Sequence, residues 1–154
     1  MQGLWGLKEA FMISGILLLL FIILSAITDV RYKKINIQTS IIFFLAGMVL
    51  NLSGLNISLQ DGIFGMSIGF LLIGLSFASG EKIGLGDGII FTVTGVYLGF
   101  FGNFLLLSLS LFLCACFSAG ALIFRKADRN SRIPMVPFLI IPAICELTMM
   151  AGVL

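Results

Sequence analysis

Residues 10–31 read AFMISGILLLLFIILSAITDVR, an unbroken apolar run closed by Asp29, Val30 and Arg31. At about 1.5 Å per helical residue, about 20 such residues cross the ~30 Å hydrocarbon core of a bilayer. Ala10–Thr28 therefore reads as a membrane-spanning helix. Only Lys8, beside Glu9, precedes it with positive charge, and the basic cluster Arg31, Lys33 and Lys34 follows it. A cleaved secretory leader has the opposite order and a shorter apolar core, so this is read as a retained span.

The rest of the chain has the same character. Its 154 residues are 60% hydrophobic and only 10% charged, with a mean hydropathy of +1.20. Soluble domains are about half apolar and about a quarter charged, so the excess is expected to face lipid. Five further stretches read as spans: Ser40–Leu55, Gly62–Ala78, Gly88–Phe101, Phe104–Phe124 and Pro134–Gly152. The expectation is an all-α polytopic bundle of about six transmembrane helices, with residues 1–154 forming a single membrane-embedded domain. Loops this short leave chemistry to helix ends.

Charge placement orients the bundle. Eight of the nine Lys and Arg lie in three loops: Arg31, Lys33 and Lys34; Lys82; and Arg125, Lys126, Arg129 and Arg132. The stretches at 56–61 and 102–103 carry none. By the positive-inside rule the odd-numbered spans end in the cytoplasm and both termini lie outside it. The basic loops suit anionic lipid headgroups, and nothing in their pattern points to nucleic acid. Cys114, Cys116 and Cys145 fall within apolar stretches without a C-x-x-C pair, and the chain has no histidine. The usual zinc or haem ligand sets are missing, so no metal or cofactor is implied.

An ionisable group next to a span is costly and is a functional candidate by default. Of the seven acids, Glu9 and Asp61 fall on the outer side, Asp128 lies inside a basic loop, and Glu81 has Lys82 as neighbour. Glu146 lies roughly 18 Å into the last span, where a structural contact with Lys8 or Asn103 is expected. Asp29 and Asp87 remain. Asp29 closes the first span and Asp87, in Ile83-Gly84-Leu85-Gly86-Asp87-Gly88-Ile89, opens the fourth. The expected topology puts both at one membrane face.

Two carboxyls at a half-buried site share a proton, because both cannot ionise side by side. One then serves as general base towards water and the other as acid towards a carbonyl. The flanking glycines allow a backbone to approach an extended peptide. By position alone, helix capping accounts for Asp87 equally well, whereas Asp29 stands at the helix end where a carboxylate is disfavoured. Gly-x-x-x-Gly spacings at Gly65/Gly69 and Gly95/Gly99 read as helix-packing contacts, and Gly84/Gly88 as the place where a substrate helix enters.

Gly84-Leu85-Gly86-Asp87 matches the GxGD motif of intramembrane aspartyl proteases. Asp29 with Arg31 and Ile35, and the segment Ile133-Pro134-Met135-Val136-Pro137-Phe138-Leu139, complete a pattern that resembles the type IV prepilin peptidases. The resemblance implies an aspartic endopeptidase that removes the short basic leader of prepilins or pseudopilins at the cytoplasmic face. It implies that Asp29 and Asp87 are catalytic, with Gly84, Gly86, Gly88, Pro134 and Pro137 as motif or substrate-binding positions. It resembles the short form without the N-terminal methyltransferase region. Two positions depart from the family pattern: Asn36 stands where Pro is common, and Ile89 where Lys is common. A non-catalytic homologue that binds pilin-like helices is the alternative reading, and a small proton or cation transporter ranks last.

Overall fold

The computed structural model describes residues 2–32, 35–80, 84–123 and 135–153, with side chains from residue 11 onward except at 121–122 and 150–153. Lys33, Lys34, Glu81, Lys82, Ile83 and residues 124–134, among them Arg125, Lys126, Asp128, Arg129, Arg132 and Pro134, lie outside the described residues. So do the side chains of Lys8 and Glu9. Among the described residues five α-helices form: α1 (Gln2–Tyr32), α2 (Ile37–Leu52), α3 (Leu59–Ala78), α4 (Leu85–Ile123) and α5 (Ile140–Val153), the last preceded by a 3-10 turn at Val136–Leu139.

The all-α expectation stands, but six spans do not. Among the described residues three helices are long and apolar enough to cross a membrane, at Phe11–Tyr32, Leu59–Ala78 and Leu85–Gly120. Apolar composition makes a segment compatible with lipid, yet spanning also requires length. The 16 residues of α2 reach about 24 Å, and the 14 of α5 about 21 Å, short of the ~30 Å core. The fourth and fifth expected spans are the two arms of α4, which meet at a break at Gly99. The placement of both termini outside the cytoplasm applied the positive-inside rule to six spans and falls with that count.

Gly99 interrupts α4, at φ 70° and ψ −172°. That region of backbone space is essentially restricted to glycine. A straight helix would separate Phe91 from Asn103 by about 18 Å, yet the Asn103 amide donates to the Phe91 carbonyl at 2.8 Å. It also donates to the Gly65 carbonyl at 2.9 Å, and its oxygen accepts from the Thr94 hydroxyl at 2.7 Å. The two arms of α4 thus fold back on each other around a fully buried asparagine. Breaking a helix frees backbone carbonyls. Here Asn51 Nδ2 takes the Val96 carbonyl at 2.8 Å and Asn56 Nδ2 takes that of Tyr97 at 3.2 Å.

Helix α3 runs antiparallel to the first arm of α4, with contacts that pair Gly62 with Val96, Gly65 with Gly95, Gly69 with Thr92, and Ile73 with Gly88. The Gly65 and Gly95 backbones touch directly, as small residues permit in lipid. Gly99, expected to pack in the same way, supplies the break. Elsewhere Leu18, Phe21 and Ile22 of α1 meet the buried Ile90, Phe91, Val136 and Leu139. The Phe21 and Phe43 rings lie 5.4 Å apart, and Tyr97 Oη donates to the Phe43 carbonyl at 2.7 Å.

Polarity is distributed as lipid requires. Ser14, Ser25, Asn51, Thr94, Asn103 and Ser110 are buried, while Ile16, Ile42, Phe64, Leu71 and Phe112 are exposed. Hydroxyls within the helices bond backward to their own turns, as Ser110 does to the Leu106 carbonyl at 2.6 Å. Multiple apolar helices with this exterior make a multi-pass membrane protein.

Candidate active site

Asp29 lies near the C-terminal end of α1, three residues before Tyr32, on a half-buried face. Its Oδ2 accepts the Val136 N–H at 3.3 Å, the first backbone donor of the 3-10 turn. The Pro-containing segment thereby reaches the first aspartate through Val136. Pro137 follows at the next position of that turn and is half-buried. A proline is tolerated there because the early N–H groups of a helical turn have no partner within it.

Asp87 stands in the first turn of α4, which begins at Leu85. It is therefore not the helix cap. Its N–H donates to the Gly84 carbonyl at 3.1 Å, and a carboxylate in a first turn is favoured by the helix dipole. Asp87 and Asp29 come from different helices yet lie close enough for their charges to repel. Both are half-buried, so neither is sealed from water.

The glycines around Asp87 divide by neighbour. A Cβ on Gly84 would meet Asp87 Oδ2 at 3.2 Å; one on Gly86 would strike the Ile35 side chain; one on Gly88 would come within 2.9 Å of the Ile73 backbone nitrogen. Gly84 borders the carboxylate. At Gly86 and Gly88 the α1–α2 connection and α3 pack close against the backbone.

The two departures also acquire explanations. Asn36 caps α2: its Oδ1 accepts the Gln38 N–H at 3.1 Å, and its carbonyl accepts from Ser40 N at 3.1 Å. Ile89 lies about 200° round the helix from Asp87 and lines an apolar cleft of about 210 Å³ with Ile37, Phe44, Phe70 and Ile73. It faces away from the dyad.

Glu146 is not part of the pair. Its carboxyl is buried against Gly102, and among the described residues Oε2 has no hydrogen-bond partner. Asn103, one expected partner, is already engaged with Gly65, Phe91 and Thr94. Among the described residues no three His, Cys, Asp or Glu side chains come together as a ligand set. The contribution of Val136 was missed by sequence reasoning, because a backbone donor leaves no residue-type signal.

Comparisons with curated proteins and with solved structures gave no match. The family described as type IV leader peptidases matches residues 16–119, a range that holds both aspartates and all three glycines and ends before Val136. With two-thirds of its length matched, the chain belongs to the type IV leader peptidase family and is an aspartic-type intramembrane protease acting on type IV prepilin-like substrates.

Proposed function

We propose that Asp29 and Asp87 are the catalytic pair of this peptidase and that they cut the short basic leader from a prepilin or pseudopilin at the cytoplasmic membrane face. The observation that carries the assignment is their convergence. Two half-buried acids from the ends of α1 and α4 lie within electrostatic reach, and sharing one proton relieves their repulsion. In the hydrolytic step the ionised carboxylate takes a proton from water as that water attacks the scissile carbonyl carbon. The protonated partner gives its proton to the carbonyl oxygen. Collapse of the tetrahedral adduct then breaks the C–N bond, and the amine leaves with a proton returned from the pair.

The Val136 N–H supports the reading by fixing one oxygen of Asp29 and leaving the other for water or its partner. The cytoplasmic orientation is supported by Arg31, Lys33, Lys34 and Lys82, which cluster beside the two acids in sequence, as the positive-inside rule requires.

The test is cleavage of a prepilin-like substrate by Asp29→Asn and Asp87→Asn proteins in proteoliposomes. Each substitution is expected to lower the rate by about 10²–10⁴-fold, the usual worth of a general acid or base. Membrane insertion and thermal stability should stay unchanged. Normal cleavage by either variant would sink the assignment.

A further inference from the structure

The break at Gly99 opens a second cavity, at the end of the first α4 arm remote from Asp87 and about 18 Å of helix away from it. Its volume is about 460 Å³, within the range of small-ligand sites, ~300–1,000 Å³. Asp61, Phe64, Leu98, Gly99, Phe100 and Phe101 line it, and Asp61 is the one charged residue among the lining side chains. The Phe100 and Phe101 rings stand nearly perpendicular, at 86° with centroids 5.6 Å apart, so they present π surface in two directions.

Two features of this cavity carry the same electrostatic sign. A carboxylate attracts a cation directly. Aromatic faces attract it through the ring quadrupole, by about 0.5–1 kcal/mol at exposed sites. Helix capping explains part of what Asp61 does: Ser58 Oγ accepts the Asp61 N–H at 3.1 Å and donates to Oδ2 at 2.7 Å. An ionised carboxylate offers about four acceptor sites, so capacity remains. Capping accounts for neither the three rings nor the cavity between them.

The ligand class follows from the lining. A hard metal ion seeks about six to eight oxygens, whereas phenyl rings have no lone pairs to give. A methylated or primary ammonium gains from rings and carboxylate together. We propose that this cavity binds an organic ammonium cation, either the headgroup of a lipid or a soluble amine.

Tetramethylammonium is the probe, with binding followed by saturation-transfer NMR on the full chain in maltoside micelles, which contain no amine. Saturable binding is expected, weakened by about two- to fivefold in Phe101→Leu and at least as much in Asp61→Asn. Peptidase activity should be unchanged in both. The Phe101 ring is 84% exposed, so Phe101→Leu decides the matter even where Asp61→Asn disturbs the start of α3. Displacement of the probe by added phosphatidylethanolamine, but not by phosphatidylglycerol, identifies a lipid headgroup as the occupant; no displacement by either identifies a soluble cation. Absence of saturable binding, or equal affinity in wild type and Phe101→Leu, overturns the proposal.

Discussion

Gly84 and Gly88 are separated by one helical repeat, yet a methyl group added at each meets different matter. At Gly84 the neighbour is Asp87 Oδ2 at 3.2 Å, a side-chain atom that can rotate aside. At Gly88 the neighbours are the Ile73 nitrogen at 2.9 Å and the Gly69 carbonyl at 3.2 Å, which move only if α3 moves. Alanine gains up to about 1 kcal/mol in helix propensity over glycine, but overpacking costs about 1–3 kcal/mol, so crowding wins at Gly88. Gly88→Ala should lower the unfolding temperature of the detergent-solubilised protein. Gly84→Ala should leave that temperature alone and lower kcat about tenfold by displacing the carboxylate, a contrast that thermal scans and cleavage kinetics read separately. The motif announced close backbone approach at these positions. It did not announce that helix α3 packs against Gly88, because sequence spacing names a small residue and not its neighbour. Asn36 shows the converse: it is a favoured N-cap residue at the start of an apolar run, so its role was open to local chemistry and was obscured by comparison with a family proline.

At the scale of elements, the return of α4 on itself rests on Asn103 and Gly99. Asn103 holds Gly65, Phe91 and Thr94 at once, and hydrogen bonds within membrane proteins average about 0.6 kcal/mol each. Asn103→Leu should therefore cost about 2 kcal/mol, measured by denaturation in mixed micelles. Gly99→Ala places a side chain at φ 70°, with a cost of about 1–3 kcal/mol. Equal stability of both variants and wild type would falsify this account of the turn. The apolar stretches of α4 were legible from hydropathy, which put their boundary at residues 102–103, just past the break at Gly99. That Asn51, Asn56 and Asn103 recapture the freed carbonyls was not legible, since their partners are backbone atoms 12 to 45 positions away.

For the molecule as a whole, the aspartates define one end and the connection between α2 and α3 the other. Helix α2 starts beside the dyad end, where Ile35 packs on Gly86, and finishes where Asn51 meets Val96 near the Gly99 break. Charge differs sharply between these ends: Arg31, Lys33 and Lys34 follow Asp29, whereas residues 52–61 carry Asp61 as their only charge. The inner leaflet surface attracts basic segments by about 1 kcal/mol per residue, and translocating such clusters is disfavoured. The number of spans was misread because hydropathy reports lipid compatibility and not helix length. The asymmetry between the two ends does not depend on that number. Tyr32 and Ser53 sit at opposite ends and are both exposed, which makes them suitable reporters once Cys114, Cys116 and Cys145 are replaced by serine. In right-side-out vesicles, a membrane-impermeant maleimide should label Ser53→Cys and spare Tyr32→Cys. Inverted vesicles should reverse the pattern. Labelling of both positions from one side, or the opposite pattern, would remove the cytoplasmic placement of the dyad while leaving its chemistry to be judged by the Asp29→Asn and Asp87→Asn rates.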